Sequence, residues 1–294
     1  MKKKEKDLKI IKSIKELRTV LGGIQGKTGL VPTMGALHKG HLSLIERCVS
    51  ENDFNIVSIF VNPTQFGPKE DFDKYPRTLE ADVKMCEQAD VDVVFAPSSS
   101  EMYKNTMDTT LVCPPYAAVD KLCGKSRVGH FDGVATVVSK LFNITSCDRA
   151  YFGKKDAQQL FIIKKMVDDL NFNVEIISCD TVREEDGLAM SSRNTYLTSQ
   201  NRTEALKLSK ALKCVKDLYA KGENSVKALT DAALSVMQGL DVEYFEICDL
   251  NTFHEADNII KQDVENIALA AVNIYQGENS KAENRVRLID NIEL

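Results

Sequence analysis

The sequence contains no run that approaches the ~20 consecutive apolar residues of a membrane-spanning helix. Residues 1–4 are Met-Lys-Lys-Lys, but no apolar segment follows them, so they do not resemble the start of a signal peptide. An excess of positive charge is also lacking, since 38 Lys and Arg against 43 Asp and Glu give a net charge of −5. Nucleic-acid-binding domains usually present a basic surface. We therefore expect a cytoplasmic protein with neither a nucleic acid nor a membrane as its partner.

Close pairs of cysteines are absent as well. A disulfide framework is typical of short secreted chains, and a structural zinc site needs ligands paired at short spacing. This chain instead scatters its cysteines over 294 residues, at positions 48, 86, 113, 123, 147, 179, 214 and 248. We therefore predict reduced thiols and no disulfide scaffold.

Apolar residues make up 43% of the chain and charged residues 28%, which is the balance of an ordinary globular protein. Short apolar runs alternate with segments of helical periodicity as far as residue 178 or so. The runs fall at 29–32, 56–61, 91–95, 150–152 and 174–178, and the helical segments at 14–22, 41–51, 78–88, 133–142 and 157–170. Such alternation predicts a Rossmann-like, doubly wound parallel sheet with helices on both faces.

The pattern changes near Cys179. A charged stretch, 180–193, leads into two helical segments at about 202–219 and 226–237, followed by strand-like runs at 242–248, 267–275 and 286–289. A length of 294 residues also favours two domains over one. We therefore predict domains at 1–180 and 181–294, the second a smaller α+β domain.

Residues 32–41, Pro-Thr-Met-Gly-Ala-Leu-His-Lys-Gly-His, leave a predicted strand and open a helix. In a doubly wound sheet, ligands bind at such a position. Gly35 and Gly40 allow close approach of a phosphate, and free N–H groups at the helix start attract anions. His38 and His41 are three apart, so both imidazoles could reach one phosphate chain. This pattern favours nucleotide binding. A pair of surface histidines at a helix cap, or part of a metal site, remain the alternatives.

Another glycine-rich stretch, residues 22–28, superficially resembles a phosphate-binding P-loop. Its glycines lack the four-residue spacing of that motif. It also leaves a predicted helix and enters a strand, which is the reverse of the required order. We predict a helix end and a turn there.

Two further motifs offer cations. Residues 152–159 again join a strand to a helix, with Lys154 and Lys155 at the helix start and Asp156 as a plausible cap. Residues 190–194, Met-Ser-Ser-Arg-Asn, place a hydroxyl pair before Arg193, which suits a flexible phosphate clamp between domains. Taken singly, each motif is better explained by a simpler structure: a capped helix with solvated lysines for 152–159, and a turn followed by the next helix cap for 190–194.

Two other segments carry side chains suited to a polar substrate. Gln65 lies in 61–66, at the end of a predicted strand, and its amide both donates and accepts. Arg127 and His130 lie in 127–133 and could bind an anion. A turn set by Asn62 and Pro63, and a surface loop, are the alternatives.

In combination, these motifs resemble the pantothenate synthetase family in order and spacing over nearly the whole chain. That family belongs to the nucleotidylyltransferase superfamily and is related to class I aminoacyl-tRNA synthetases. The segments that carry the resemblance are 32–41, 62–65, 75–77, 129–131, 152–159, 191–194 and 287–291.

The resemblance implies residue roles. His38, His41, Lys155 and Arg193 would be catalytic, with His41 the proton donor. Gln65 and Gln159 would hold pantoate, Gln65 also lying near β-alanine, with Arg127 and His130 as further substrate contacts. Asp82 would help to bind Mg²⁺. The residues that would contact ATP are Met34, Gly35, Ala36, Leu37, His38, Lys39, Gly40, His41, Gly153, Lys154, Lys155, Asp156, Val182, Met190, Ser191, Ser192 and Arg193.

Two positions depart from the family pattern in the loop that holds Arg127 and His130. Cys123 stands where many members carry glutamate before a glycine, and Val128 replaces the usual proline after arginine.

The activity that the resemblance implies is an ATP-dependent ligation of pantoate and β-alanine. Pantoate would attack the α-phosphorus of ATP, and β-alanine would then attack the resulting pantoyl adenylate, releasing AMP. A homodimer is expected from the family. The rival functions are a different nucleotidylyltransferase, one that adenylylates a phosphate ester, and a nucleotide-sensing module without catalysis.

Overall fold

The computed structural model describes residues 7–68, 70–104, 108–261, 263–275 and 285–294. The basic residues 1–4, on which the prediction about a signal peptide rests, lie outside these ranges. The chain forms two compact units. The first comprises Met1–Lys154 and Gln158–Asp180, and the second comprises Lys155–Ala157 and Thr181–Leu294.

A six-stranded, wholly parallel sheet organises the first unit, with strand order β1-β4-β3-β2-β5-β6. Leu30 of β2 lies opposite both Ile56 of β3 and Ala150 of β5, which fixes β2 in the middle. The strands are β1 (Lys9–Ile11), β2 (Thr28–Thr33), β3 (Phe54–Ile59), β4 (Val93–Phe95), β5 (Arg149–Gly153) and β6 (Glu175–Cys179). The predicted Rossmann-like fold is confirmed.

Eight helices are described in this unit, and the five longest agree with the periodicity. Ser13 starts the first by accepting a hydrogen bond from the Glu16 N–H, as expected of a helix cap. The helices are α1 (Ile14–Leu21), α2 (Lys39–Glu51), α3 (Leu79–Gln88), α4 (Ser99–Met102), α5 (Tyr116–Val119), α6 (Leu122–Ser126), α7 (His130–Thr145) and α8 (Ala157–Asp169). Since α1 ends at Leu21 and β2 begins at Thr28, the P-loop-like stretch is a helix end and a turn, as predicted.

The central strands are apolar because both faces of the sheet are covered. Val93, Val94 and Phe95, the whole of β4, are fully buried, as are Leu30 and Val31 of β2. A continuous apolar run, rather than an alternating one, is typical of a strand buried on both faces. These runs are what made the strands recognisable in the sequence.

The order of the strands places a topological switch next to β2. From β2 the chain adds β3 and then β4 on one side, and it returns to add β5 and β6 on the other. Connections that diverge in this way leave a crevice at the carboxyl ends of the two strands, here β2 and β5. The segments after these strands are two of the motifs that the sequence singles out.

The second unit is built on a three-stranded antiparallel sheet with β8 in the centre. Leu208, Leu212 and Leu229 from its helices join Ala270 and Val272 of β8 in the apolar core. Its elements are α9 (Ser199–Tyr219), α10 (Val226–Val236), β7 (Asp241–Asp249), β8 (Asn266–Tyr275) and β9 (Arg285–Glu293). The predicted C-terminal α+β arrangement is confirmed.

Among the described residues, no helix combines the length and the apolar character needed to cross a membrane.

Candidate active site

The loop between β2 and α2 is held by one buried carboxylate. Asp82 of α3 is only 2% exposed, and its two oxygens accept hydrogen bonds from the N–H groups of Ala36 (3.0 Å) and Leu37 (2.8 Å). Gly35 has φ +82°, and an added Cβ would lie 3.0 Å from both Asp82 Oδ2 and Ile59 Cγ2. Glycine is therefore required at position 35, and Asp82 gives the predicted nucleotide loop a fixed shape.

The Asp82 carboxylate is engaged with several protein donors. Besides the two loop N–H groups, the Thr78 hydroxyl lies 3.2 Å from each carboxylate oxygen. A carboxylate offers about four lone-pair directions, and these donors supply three hydrogens, because the Thr78 hydroxyl has only one to share between the two oxygens. Within the part of the chain that the structure describes, no group of three or more His, Cys, Asp or Glu is arranged to hold a metal ion. The Mg²⁺ role of Asp82 stays a prediction.

His38 and His41 cap the start of α2 together. His38 Nδ1 accepts a hydrogen bond from the Gly40 N–H at 3.1 Å, and His41 Nδ1 accepts from the His38 N–H at 3.3 Å. The ring centroids are 4.1 Å apart. An Nδ1 that accepts places the proton of a neutral imidazole on Nε2. Both rings therefore carry an Nε2–H donor at the positive end of a helix, where anions bind. The helix-cap interpretation of this pair is right, and it is compatible with a phosphate-binding role.

Gln65 follows the neighbouring strand β3, in the 3-10 helix Pro63–Gln65. Its Oε1 accepts from Asn62 Nδ2 at 3.1 Å, and its Nε2 lies 3.2 Å from the sulfur of Met34. The Asn62 oxygen in turn accepts from the Tyr103 hydroxyl at 2.8 Å. The structure thus brings Gln65, predicted to hold pantoate, into contact with Met34, predicted to contact ATP.

Helix α7 supports this segment by approaching it closely. Gly133 O accepts from Asn62 Nδ2 at 3.1 Å, and a Cβ on Gly133 would lie 2.4 Å from the Thr64 carbonyl oxygen. Any larger residue at position 133 would push α7 away from the Asn62–Gln65 turn. The short turn is therefore part of a packed scaffold and not an exposed loop.

Arg127 is engaged with protein groups. Its guanidinium forms a two-point ion pair with Glu70, at 2.7 Å and 2.6 Å. His130 Nε2 lies 2.8 Å from Arg127 Nη1, and His130 Nδ1 lies 2.8 Å from the Gln65 carbonyl oxygen. Because a guanidinium only donates, Nε2 accepts and Nδ1–H donates to the carbonyl. Arg127 and His130 therefore hold the backbone of Gln65, an arrangement that the anion-binding hypothesis did not foresee.

The positive charge of Arg127 is compensated by the neighbouring carboxylate of Glu70. Burial acts to raise the pKa of Glu70, but the hydrogen bonds and the positive charge of Arg127 outweigh it and lower that pKa to about 2. Glu70 is thus ionised at neutral pH and paired with Arg127.

The segment after β5 carries two lysines in different settings. Lys154 pairs with Asp180 at 2.9 Å. Lys155 Nζ lies 3.9 Å from Asp156, and the Lys155 side chain is only 19% exposed. In the first turn of α8, Gln158 is buried and donates to the carbonyls of Ala118 and Lys121, while Gln159 is half-buried. Gln158 is therefore a structural residue, and Gln159 stays the predicted contact for pantoate.

In the second unit, the segment 182–190 folds into a small hairpin. Met190 N–H donates to the Val182 carbonyl at 2.9 Å, and Glu184 N–H donates to the Leu188 carbonyl at 2.8 Å. Ser191 then accepts from the Arg193 N–H and starts the 3-10 helix Ser192–Tyr196. Val182, Met190 and the Ser191–Arg193 segment, all predicted ATP contacts, thus belong to one hydrogen-bonded structure.

Several residues that shape these sites were not assigned from the sequence. Glu70 was missed because its partner Arg127 is 57 residues away, and no local motif marks it. Tyr103 was missed for the same reason, since it meets Asn62 across 41 residues. Asp82 was noticed, but the sequence could not show that the N–H groups of Ala36 and Leu37 donate to its oxygens.

Taken together, the fold and the loops at the strand ends define the class of protein. It is a doubly wound α/β protein whose candidate site follows the strands at the topological switch, β2 and β5.

The family model described as "Pantoate-beta-alanine ligase" matches residues 9–293. The pantothenate synthetase of Caldicellulosiruptor saccharolyticus is 49% identical over 290 residues, covering 96% of this chain and 98% of that protein. The pantothenate synthetase of Clostridium novyi is 51% identical over 266 residues, covering 90% and 89%.

Solved structures agree with this assignment. The crystal structure of pantothenate synthetase from Thermus thermophilus superposes with a TM-score of 0.87 at 39% identity, covering 97% of this chain and 98% of that one. Pantoate-β-alanine ligase from Francisella tularensis, complexed with beta-gamma ATP and β-alanine, gives a TM-score of 0.77 at 36% identity, covering 97% of both chains. The chain belongs to the pantoate-β-alanine ligase family. The resemblance seen in the sequence, and the enzyme class that it implied, are confirmed.

Proposed function

We propose that the protein condenses pantoate with β-alanine at the expense of ATP, through a pantoyl adenylate, and releases AMP and pyrophosphate. The observation that carries the proposal is the contact of Gln65 with Met34 at the ends of adjacent strands. A reaction between a small acid and a nucleotide needs both substrates to lie close together. The contact joins the loop that we assign to ATP to the amide that we assign to the acid. The ligands of the Francisella relative, beta-gamma ATP and β-alanine, support the same choice of substrates.

In the first half-reaction, a pantoate carboxylate oxygen attacks the α-phosphorus of ATP. The bond between the α-phosphorus and its bridging oxygen to the β-phosphate breaks, and pyrophosphate leaves with the electron pair. Negative charge builds up on the phosphate oxygens in this step. The Nε2–H donors of His38 and His41, at the positive end of α2, suit its stabilisation.

The role proposed for Gln65 is to hold pantoate. Asn62 donates to Gln65 Oε1 and Gln65 Nε2 donates to the sulfur of Met34, so the second N–H of the amide is the donor that we assign to a substrate oxygen. Arg127 and His130 contact the carbonyl oxygen of the same residue, and Glu70 holds Arg127 in place. A group held in this way loses little freedom when the substrate binds, which favours orientation of the attacking carboxylate.

In the second half-reaction, the amine of β-alanine attacks the acyl carbon of the adenylate. The carbon–oxygen bond to the phosphate breaks, AMP leaves, and the nitrogen loses a proton to give the amide. The chain needs no covalent nucleophile for either step. Lys155 and Arg193 would add positive charge near the phosphates. Mg²⁺ binding, a homodimeric assembly and a cytoplasmic location remain predictions from the sequence.

The product distribution tests the proposal. With ATP and pantoate alone, a single turnover should yield pantoyl adenylate and pyrophosphate, and AMP should appear with pantothenate once β-alanine is added. A nucleotidylyltransferase that acts on a phosphate ester would leave pantoate unchanged. Formation of ADP and inorganic phosphate, or of a covalent adduct on the protein, would contradict the proposed mechanism.

A further inference from the structure

The end of strand β9 carries two buried polar residues, Asp290 and Asn291, which are 3% and 6% exposed. They lie opposite Ala270 and Leu269 of the central strand β8, so their backbone is fixed by the sheet. Buried polar side chains need hydrogen-bond partners, and the identity of those partners shows what the residues hold in place.

Asp290 holds the hairpin of residues 182–190. Arg183 donates to both oxygens of the Asp290 carboxylate, at 2.7 Å and 3.0 Å, and also to the Asn291 carbonyl at 3.3 Å. Arg183 also donates to the Gly187 carbonyl at 3.1 Å, across the hairpin turn. A two-point contact between a guanidinium and a carboxylate restricts both side chains to one plane. The hairpin is therefore attached to β9 in one orientation.

Asn291 holds a different segment. Its Nδ2 donates to the backbone carbonyl of Lys155 at 2.7 Å, across 136 residues of sequence. This contact agrees with the division of the chain, in which Lys155–Ala157 cluster with the second unit although they follow β5 and lead into α8. Adjacent residues of β9 thus reach the hairpin and Lys155.

The hairpin in turn is hydrogen-bonded to Asn194, which directly follows the Ser191–Arg193 segment. Asn194 Nδ2 donates to Glu184 Oε1 at 2.6 Å and to the Ala189 carbonyl at 3.0 Å. Arg202 of α9 holds Glu184 from the other side at 2.6 Å. A chain of contacts therefore runs from Lys155 through β9 and the hairpin to the segment that contains Arg193.

We propose that Asp290 and Asn291 are positioning residues, which keep Lys155 and the Ser191–Arg193 segment at a fixed spacing by holding both on the end of β9. The proposal rests on the proposed function, in which Lys155 and Arg193 act on the phosphates of ATP. Two cations that serve one phosphate chain are effective only when their spacing matches it, because a misplacement of about 1 Å can cost about 10²-fold in rate.

The test compares two buried asparagines of the second unit. Asn291→Leu removes the donor to Lys155 and keeps a side chain of four heavy atoms branched at Cγ. Asn266→Leu is the matched control, because Asn266 is 5% exposed and also donates to backbone carbonyls, those of Lys261 and Val264. We expect Asn291→Leu to lower the single-turnover rate of adenylate formation by roughly tenfold or more, with a smaller change in KM for ATP. An equal loss in Asn266→Leu would overturn the proposal, since it would indicate general destabilisation.

A double-mutant cycle identifies the residue through which Asn291 acts. In a Lys155→Ala background, Asn291→Leu should lower the rate by less than about twofold, because the group that it positions is already gone. The same loss in both backgrounds would contradict the proposal. If Asn291→Leu does not fold, Arg183→Lys, which keeps the charge but not the two-point contact, is combined with Arg193→Ala and judged in the same way.

Hydrogen exchange tests the attachment of Lys155 to β9 without relying on catalytic activity. The backbone amides of residues 154–158 should exchange faster in Asn291→Leu than in Asn266→Leu, whether or not the protein makes pantoyl adenylate. If the wild-type protein forms no adenylate, the proposed function is wrong, and the attachment of Lys155 to β9 is then judged by exchange alone. Equal exchange of 154–158 in the two variants would overturn it.

Discussion

Asn62 donates a hydrogen bond from Nδ2 to Oε1 of Gln65 over 3.1 Å, and this contact orients the amide that we assign to pantoate. Both residues are buried, at 1% and 9% exposure. With Oε1 engaged by Asn62 and one N–H directed at the Met34 sulfur, the amide meets a substrate through its second N–H. The orientation selects an acceptor, such as a carboxylate or hydroxyl oxygen, as the bound group.

This orientation predicts that Gln65→Glu is more harmful than Gln65→Ala. Alanine leaves a substrate oxygen without its donor, which costs about 1–3 kcal/mol, whereas glutamate adds repulsion against the pantoate carboxylate. We expect the Kd for pantoate to rise in the order wild type, Ala, Glu, with the Kd for ATP nearly unchanged, as measured by calorimetry. Gln88→Glu, at the exposed end of α3, serves as the control. Tighter pantoate binding by Glu than by Ala would contradict the assigned orientation.

Two substitutions of His38 can separate its role as a helix cap from its proposed role in catalysis. His38→Asn should keep the helix cap, because the asparagine oxygen can accept from the Gly40 N–H as Nδ1 does now. It removes the Nε2–H, so the rate of adenylate formation should fall by roughly 10² or more while the free energy of unfolding changes by less than about 0.5 kcal/mol.

His38→Leu completes this comparison. It removes the cap as well, and should cost about 1 kcal/mol of stability in addition to the loss of rate. Denaturant unfolding and single-turnover kinetics on the same samples make the measurement. Full activity of His38→Asn would exclude a role for the His38 Nε2–H.

Alanine substitutions of the neighbouring residues Lys154 and Lys155 should lower the rate of adenylate formation to different extents. Lys154 is already paired with Asp180, a residue that is largely exposed, so Lys154→Ala should change the rate of adenylate formation by less than about tenfold. Lys155→Ala removes a charge proposed to act at the reacting phosphate and should lower the rate by at least about 10²-fold. Equal effects of the two substitutions would show that Lys155 contributes only to the general positive potential.

The Glu70–Arg127 pair predicts a specific loss of stability in acid. The pKa of Glu70 is lowered to about 2 in the folded protein, from an ordinary value of 4.5. A lowered carboxyl pKa stabilises the fold fully above the unfolded value, and the contribution is lost as the pH falls through the folded value. Wild-type stability should therefore decline between about pH 4.5 and pH 2, partly through Glu70.

Glu70→Gln removes this titration. The variant should be less stable than the wild type near pH 6, and the difference should shrink as the pH falls through the same window. Urea unfolding at a series of pH values makes the comparison, with Glu87→Gln on the exposed surface of α3 as the control. A difference that stays constant from pH 6 to pH 2 would show that Glu70 contributes only by packing.

The sequence predicted the fold well because the decisive signals are local. Buried strands such as Val93–Phe95 read as apolar runs, and the glycines and histidines of 32–41 are contiguous. Strand β1, with three residues and two of them exposed, has no such signal and becomes a strand only by pairing with β4. Local patterns therefore indicated the main strands of the sheet, including β6 at one edge, but not β1 at the other.

The site was only partly predictable, because several of its restraints join distant parts of the chain. The loop 32–41 was found as a motif, but Asp82, which shapes it, lies 46 residues from Ala36. Arg127 and His130 were found as candidate anion-binding residues, whereas the structure engages them with Glu70 and the Gln65 carbonyl. Nothing in a single sequence shows which buried carboxylate a given arginine will meet.

The central claim is that a carboxylate oxygen of pantoate attacks the α-phosphorus of ATP. Pantoate labelled with ¹⁸O in its carboxylate tests this most directly, with ATP, β-alanine and the wild-type protein, and with mass spectrometry of the products. The proposed mechanism transfers one labelled oxygen to each AMP and leaves pyrophosphate unlabelled. Label in inorganic phosphate together with ADP, or unlabelled AMP beside newly formed pantothenate, would contradict it.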